Sequence, residues 1–226
     1  MTLSLNTDVL AERGFAVAKR LIDPAECQAL AALWPEKGVF RKHIVMQRHG
    51  YGRGEYQYFT YPLPAPVERL RQALYPALAE VANLWNERLG IAKRFPPTLE
   101  PWLKECHTAG QTRPTPLLLK YGAGDYNCLH RDLYGESVFP IQATVLLSQP
   151  GRDFEGGEFM LVEQRPRQQS VGEVVSLNQG DAVLFAVNEH PGQGTRGWHR
   201  RAMRHGVSSL HRGERFTLGI IFHDAT

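Results

Sequence analysis

The chain has 226 residues, of which 42% are hydrophobic, and its formal net charge is +3. This length is typical of one globular domain with a sizeable core, and there is no run of roughly 18 apolar residues, the length that a membrane-spanning helix needs. The opening MTLSLNTDVLAERG does not have the basic-then-apolar order of a leader, so we expect a cytoplasmic protein with no membrane partner. Three cysteines without CxxC spacing indicate neither a disulfide framework nor a zinc knuckle.

The first part of the chain is predicted to supply a strand and helices. GFAVAKRLI has the composition of a strand, and the Asp23-Pro24 pair that follows is typical of a helix start. Between residues 67 and 89 apolar residues recur every three or four positions, which predicts a helix that Pro76 kinks or splits. We expect residues 1–114 to form a helical layer that covers a sheet.

The second part is predicted to be β-rich. TPLLLKYG, FPIQATVLLS, GGEFMLVE, GDAVLFAV and RFTLGIIF are short β-prone runs separated by Gly, Pro, Asn and Asp. The intervals leave no room for crossover helices, so a jelly roll is favoured over residues 115–226. The prediction is a mainly β, α+β fold with flanking helices, forming one domain over residues 1–226. Residues 40–60 and 188–204 are Gly-, Arg- and His-rich and are expected to be surface loops or lids.

His130 and Asp132 are the first candidates for a metal site. They follow an apolar run, and side chains at i and i+2 of an extended segment point to the same face, with Arg131 pointing away. A second, distant histidine would complete a set of two imidazoles and one carboxylate. That set leaves coordination positions open, as non-haem iron(II) oxygenases require.

His205 is the predicted distant histidine. Arg215 follows it by ten positions (215 − 205 = 10) and enters the apolar strand RFTLGIIF. The planar guanidinium fork of arginine matches a carboxylate with two parallel hydrogen bonds. The same ten-residue step from His199 or His211 ends on Ser209 or Ile221, neither of which can bind a carboxylate in this way. From His190 the step ends on Arg200, which lies outside a predicted strand.

Two further residues are candidates for the same anion site. Thr217 lies two positions after Arg215, on the same face of the predicted strand, and offers a hydroxyl. Tyr121 lies on the approach to His130 and offers a phenol. Both also fit ordinary strand and core positions. No protein nucleophile or general base is expected, so the chemistry is assigned to no side chain beyond the metal ligands.

Together these motifs make the chain similar to the Fe(II)/2-oxoglutarate-dependent dioxygenase superfamily, over roughly residues 115–222. The opening GFAVAKRLIDPAE also resembles the first strand and helix of prolyl-hydroxylase-like members. The resemblance implies a double-stranded β-helix of cupin-like type with the metal at its mouth. It further implies Fe(II) as the metal, 2-oxoglutarate and dioxygen as co-substrates, succinate and CO₂ as products, and ascorbate as the expected reductant.

Three functions stay open on the sequence. The first is hydroxylation of a small molecule or a peptidyl side chain, as the prolyl-hydroxylase-like opening suggests. The second is oxidative demethylation of damaged nucleic acid, which the basic region Arg196–Arg215 and resemblance to a bacterial branch assigned to that chemistry suggest; the demethylases carry a second arginine where this chain has Ile221. The third is a non-oxygenase cupin-like barrel that binds a metal or ligand. The sequence does not indicate an oligomeric state.

Overall fold

The computed structural model describes residues 5–133 and 135–226. In this part of the chain the helices are α1 (Thr7–Arg13), α2 (Pro24–Ala31), α3 (Ala65–Arg88) and α4 (Leu99–Thr108), with a 3-10 turn at Met46–His49. The earlier strands are β1 (Phe15–Ala18), β2 (Phe40–Val45), β3 (Gly52–Arg53), β4 (Glu55–Phe59), β5 (Leu117–Tyr121), β6 (Tyr126–His130) and β7 (Ile141–Leu146). The later strands are β8 (Phe154–Gly156), β9 (Phe159–Gln164), β10 (Val171–Val175), β11 (Ala182–Ala186), β12 (Glu189–Gly194), β13 (Gly197–Val207), β14 (Leu210–Gly213) and β15 (Arg215–Ile220).

Two antiparallel sheets form the barrel. The larger has the order β1-β11-β7-β15-β5-β4-β2, and the smaller has the order β10-β9-β13-β6-β3 with β12 joined to β13. Successive strands pass between the sheets, for example from β5 to β6 and back to β7, which is the connectivity of a jelly roll. Phe159 of the smaller sheet and Phe185 of the larger have ring centroids 5.1 Å apart, so the inner faces pack on each other. The predicted β-rich jelly roll with flanking helices is confirmed.

Helix α3 carries the predicted apolar stripe into the core. Its residues Leu70, Leu74 and Leu78 are each at most 2% exposed and join the same apolar cluster as the barrel strands. Of the two outcomes predicted at Pro76, a kink or a split, the split does not occur, because one helix spans Ala65–Arg88 with this proline inside it. The loss of one backbone hydrogen bond costs about 3 kcal/mol, and burial of several leucines at roughly 2 kcal/mol each offsets it.

The start of helix α2 agrees with its sequence. Asp23 is the N-cap and its Oδ1 accepts a hydrogen bond from the backbone N–H of Glu26 at 2.8 Å. The strand before it is shorter than GFAVAKRLI, since β1 ends at Ala18 and Arg20 has a φ of 50°, outside the strand region.

The segments predicted to be surface loops are partly strands, which corrects that prediction. Residues of 40–60 form β2, β3 and β4, and β4 pairs with β5 through Tyr56 opposite Leu119. Residues of 188–204 form the hairpin of β12 and β13. The polar residues in these segments do not indicate strands by themselves. The strands form because they pair with partner strands that are distant in sequence.

No helix in the described ranges has both the length and the apolar character required to cross a lipid bilayer.

Candidate active site

A cavity of about 380 Å³ opens between the two main sheets. Its walls come from strands of both sheets, and its mouth is formed by the residues before β3 and after β6. All residues that the sequence assigns to the metal and the co-substrate line this cavity. The polar side chains around its inner part include Tyr121, Asn127, His130, Asp132, Gln142, Thr144, His205, Arg215 and Thr217.

The three predicted metal ligands lie together in the cavity. His130 ends β6 and lies directly opposite His205 of β13, with ring centroids 4.2 Å apart. Asp132 contacts both, since Oδ1 is 3.3 Å from His130 Nε2 and Oδ2 is 3.4 Å from His205 Nε2. One donor atom from each residue lies within 4.8 Å of the other two. Two imidazoles and one carboxylate at this spacing suit a single ion with open positions.

Hydrogen bonding and burial favour protonation states that suit metal binding. His130 Nδ1 is 2.7 Å from the carbonyl oxygen of Cys128, so a proton on Nδ1 leaves the lone pair of Nε2 on the side of Asp132. Burial lowers the pKa of His205, which favours its neutral ring. Burial also opposes ionisation of Asp132, but its contacts with the two histidines hold its pKa well below the ordinary value. Burial opposes a charge on His130, but its contact with Asp132 raises its pKa above the ordinary value, so a metal ion would displace a proton from this ring.

The backbone around Asp132 differs from the prediction. Strand β6 ends at His130, so Asp132 lies in an irregular segment rather than on the strand. Arg131 lies at the mouth, where its Nη1 donates to Oδ1 of Asn188 at 2.9 Å. The alternation of faces applies only while strands are paired, and the pairing of β6 with β13 reaches no further than His130.

Arg215 lies deep in the cavity at the start of β15. It is 2% exposed, and its Nε and Nη1 have no hydrogen-bond partner among the described residues. Burial lowers its pKa to about 10, so the guanidinium stays charged at neutral pH. A buried cation with unused donors is unfavourable by itself, and a bound carboxylate would supply the missing acceptors.

Thr217 and Tyr121 border the guanidinium. Thr217 is 1% exposed and follows Arg215 by two positions on β15, while Tyr121 of β5 lies opposite Arg215 in the strand register. The Tyr121 hydroxyl accepts from Nδ2 of Asn127 at 3.3 Å. Burial raises the pKa of Tyr121 to about 12, so its O–H remains available to donate. The geometry places both hydroxyls beside the anion site, and their binding roles stay predictions.

Gly157 of the GGEF motif gives Arg215 its space. Gly157 lies in the turn before β9 and has a φ of +63°, a conformation that glycine adopts readily. In addition, a Cβ atom on Gly157 would lie 2.5 Å from Cδ1 of Leu210 and 3.1 Å from Cδ of Arg215. A side chain here would push against the guanidinium arm, so this glycine contributes to the site as well as to the turn.

The residues and donor chemistry fit the metal and co-substrate that the resemblance implies. The three donor atoms converge, and the unpartnered guanidinium lies in the same cavity. Two imidazoles and a carboxylate match non-haem Fe(II), and a buried arginine matches a carboxylate of 2-oxoglutarate.

Part of the positive charge of the basic region Arg196–Arg215 is paired with carboxylates in the structure. Several of its arginines are ion-paired with glutamates, and Arg215 itself faces the cavity. The ion pairs are Arg200 with Glu189, Arg201 with Glu163 and Arg212 with Glu155. Only part of its charge is therefore available to a nucleic acid.

Other residues of the site had no recognisable signal in the sequence. Gln142 of β7 donates from Nε2 to Oδ2 of Asp132 at 2.9 Å. At the mouth, the Tyr51 ring is stacked on His49 with centroids 5.3 Å apart, and Tyr51, Leu129 and Leu133 are 50%, 42% and 52% exposed. An exposed apolar rim around a cavity marks a binding surface. These residues come from separate segments, so only the fold brings them together.

Sequence comparison places the chain among oxygenases. Residues 54–225 match the family Oxygenase-NA, described as an oxygenase catalysing oxidative methylation of damaged DNA. An uncharacterized protein of Mycobacterium tuberculosis, Rv2227, is 51% identical over 167 residues, which cover 74% of this chain and 72% of that protein. The non-oxygenase barrel considered from the sequence is therefore set aside.

Solved structures share the fold. A prolyl-4-hydroxylase of Pseudomonas putida has a TM-score of 0.55 at 16% identity, covering 94% of each chain. An oxidoreductase of the 2OG-Fe(II) oxygenase family from Burkholderia pseudomallei has a TM-score of 0.55 at 13% identity, covering 97% of this chain and 90% of that one. The match over more than half of its length shows that the chain belongs to the Oxygenase-NA family of oxygenases, on the jelly-roll fold predicted from its sequence.

Proposed function

We propose that this oxygenase depends on Fe(II) and 2-oxoglutarate and oxidises alkylated nucleic acid. His130, Asp132 and His205 would hold the iron, and Arg215 would hold the distal carboxylate of 2-oxoglutarate. The observation that carries the proposal is the convergence of three donor atoms within 4.8 Å of one another in a cavity that also contains a buried guanidinium without a partner.

The protein residues bind and orient, and the cavity limits access of water. Arg215 offers a bidentate contact to one carboxylate, with Thr217 and Tyr121 as additional hydrogen-bond donors. Inside a buried site these contacts are stronger than in water. The bound iron and 2-oxoglutarate would supply activation of dioxygen. The proposed reaction requires no protein acid or base.

The reaction balances for an N-methyl group. One dioxygen and one 2-oxoglutarate give succinate and CO₂, and one oxygen atom enters a C–H bond of the methyl group. The resulting N-hydroxymethyl group breaks its C–N bond and leaves as formaldehyde, while a proton returns to the nitrogen. The two electrons from the C–H bond and the two from decarboxylation together reduce dioxygen. The methyl group is therefore removed.

Two observations support nucleic acid as the substrate. The family description names damaged DNA. Tyr51, whose ring stacks on His49, lies at the mouth of the cavity together with Arg131, whose guanidinium donates to the neutral side chain of Asn188. Aromatic rings stack on bases and arginine attracts phosphate, so this rim suits an unpaired nucleotide.

Hydroxylation of a peptidyl side chain or a small molecule is the second candidate. The exposed Leu129 and Leu133 give the rim an apolar character that also suits such substrates. The N-terminal strand and helix predicted for prolyl-hydroxylase-like proteins are present as β1 and α2, although the solved prolyl hydroxylases share only the fold.

A coupled turnover assay distinguishes the candidates. The protein would be incubated with Fe(II), 2-oxoglutarate and single-stranded oligonucleotides that carry N-methylated bases, with and without ascorbate, whose role as reductant stays a prediction. We expect succinate and formaldehyde in equal amounts, and neither product above background with the unmethylated oligonucleotide. Succinate that rises with proline-containing peptides or metabolites but not with methylated oligonucleotides would favour the second candidate. No 2-oxoglutarate turnover with any substrate would contradict the proposal.

A further inference from the structure

We propose that Gln142 is a positioning residue that fixes how Asp132 presents its carboxylate to the metal. Its Nε2 donates to Oδ2 of Asp132 at 2.9 Å, and the side chain is 4% exposed. This inference rests on the metal site proposed above and assigns a role to a residue outside it.

Asp132 requires such support because of where it lies in the chain. His130 and His205 are held by the pairing of β6 with β13, whereas Asp132 follows the last residue of β6 in an irregular segment. Gln142 is on β7, in the other sheet, paired with Phe185 of β11. The hydrogen bond therefore ties the least constrained of the three ligands to the opposite wall of the barrel.

The donor chemistry of Gln142 suits this position. An amide donor stabilises the anionic form of Asp132 without adding a charge, so the metal still meets one negative charge and two neutral rings. A lysine or arginine here would neutralise the site, and an acid would repel Asp132. The hydrogen bond from Gln142 to Oδ2 limits rotation of the Asp132 carboxylate, so this side chain would meet a metal in one orientation.

The test uses Co(II) as a probe that is not turned over, with Gln142→Leu and Gln142→Glu variants of the full chain. Calorimetric titration of metal-free protein is expected to show about 10- to 100-fold weaker Co(II) binding for Gln142→Leu, the usual effect of removing a hydrogen bond to a metal ligand. The Co(II)-loaded variant is also expected to bind 2-oxoglutarate more weakly and to show a changed visible absorption spectrum. Gln142→Glu is expected to differ from wild type in the same three measurements, and it serves as the second variant if the leucine protein does not fold.

Gln57→Leu is the matched control. Gln57 also lies in a strand of the larger sheet, and its amide donates to the carbonyl oxygen of Trp34 at 2.9 Å rather than to the site. We expect this variant to bind Co(II) as wild type does. Unchanged Co(II) and 2-oxoglutarate binding in a folded Gln142 variant would overturn the positioning role, as would an equal loss in the Gln57 control. Failure of the wild-type protein to bind Co(II) would instead contradict the proposed metal site.

Discussion

The inner end of the cavity and its mouth are built in different ways. At the inner end, Arg215, Thr217 and Tyr121 lie on paired strands and are each at most 2% exposed. At the mouth, Tyr51 and Leu133 lie outside the strands and are about half exposed. The register of paired strands fixes the position of a side chain closely. A residue with few packed neighbours can change its conformation at a low cost in free energy. The inner end thus suits a co-substrate whose shape is always the same. The mouth suits a larger substrate whose surroundings vary from one molecule to another.

Removal of the guanidinium should produce the largest effect. Arg215→Met is expected to raise the KM for 2-oxoglutarate by at least about 150-fold, because two hydrogen bonds from a charged group contribute about 1.5–3 kcal/mol each. Steady-state assays at varied 2-oxoglutarate measure it. Arg212→Met is the control, since Arg212 is exposed and paired with Glu155. Equal effects of the two substitutions would contradict a special role for the inner end.

Loss of the aromatic ring at the mouth should affect the nucleic acid alone. Tyr51→Ala is expected to lower kcat/KM for a methylated oligonucleotide by roughly 5- to 150-fold, which corresponds to about 1–3 kcal/mol of base stacking. The KM for 2-oxoglutarate should stay unchanged, since Tyr51 is not among the residues around Arg215. Trp198→Ala is the control, because Trp198 is also exposed but does not line the cavity. A similar loss in both variants would show that the mouth is not the stacking surface.

A methyl group placed against Arg215 should test how rigid the inner end is. Gly157→Ala is expected to raise the KM for 2-oxoglutarate about tenfold and to cost about 1–2 kcal/mol of stability, since an alanine at positive φ is strained and its Cβ meets Arg215. Kinetics and denaturant unfolding measure the two effects. Gly110→Ala is the matched control, because its φ of +81° imposes similar strain while a Cβ there meets no atom within 4 Å. An unchanged KM in Gly157→Ala would mean that the inner end adapts as readily as the mouth.

The smallest expected effect concerns a single charge at the mouth. Arg131→Gln should weaken oligonucleotide binding a few-fold and reduce the dependence of log K on log salt by about 0.7, the value for one phosphate contact on a single strand. Binding at several salt concentrations measures this slope. The same change at Arg196, in the basic region predicted from the sequence, provides the comparison. A larger change at Arg196 than at Arg131 would move the nucleic-acid surface away from the mouth.

The contrast between the two ends also explains what the sequence could predict. Thr217 follows from the period of a strand, and the pair of His205 and Arg215 follows from their ten-residue spacing. The structure brings these residues together with His130 and Asp132 in one cavity, although their roles as ligands stay predictions. A local sequence pattern was sufficient to select these residues as candidates, because each of them lies on or next to a regular strand.

The mouth and the ties between the sheets could not be predicted in this way. Tyr51 reaches the cavity only because β3 pairs with β6, and Gln142 reaches Asp132 from the opposite sheet. Such contacts depend on strand pairing across long stretches of chain, which no local period encodes. The same limit explains why β2, β3 and β4 lie in a segment whose sequence indicates loops.

The most direct test of the central claim is an anaerobic titration of the protein with Fe(II) followed by 2-oxoglutarate, monitored by visible absorption. A weak charge-transfer band should develop with one equivalent of each, as expected when 2-oxoglutarate chelates iron that the protein holds. The band should be absent in Asp132→Ala and should require far more 2-oxoglutarate in Arg215→Met. A band of the same intensity and midpoint in both variants, or no band in the wild-type protein, would contradict the assignment of these residues to one iron and 2-oxoglutarate site.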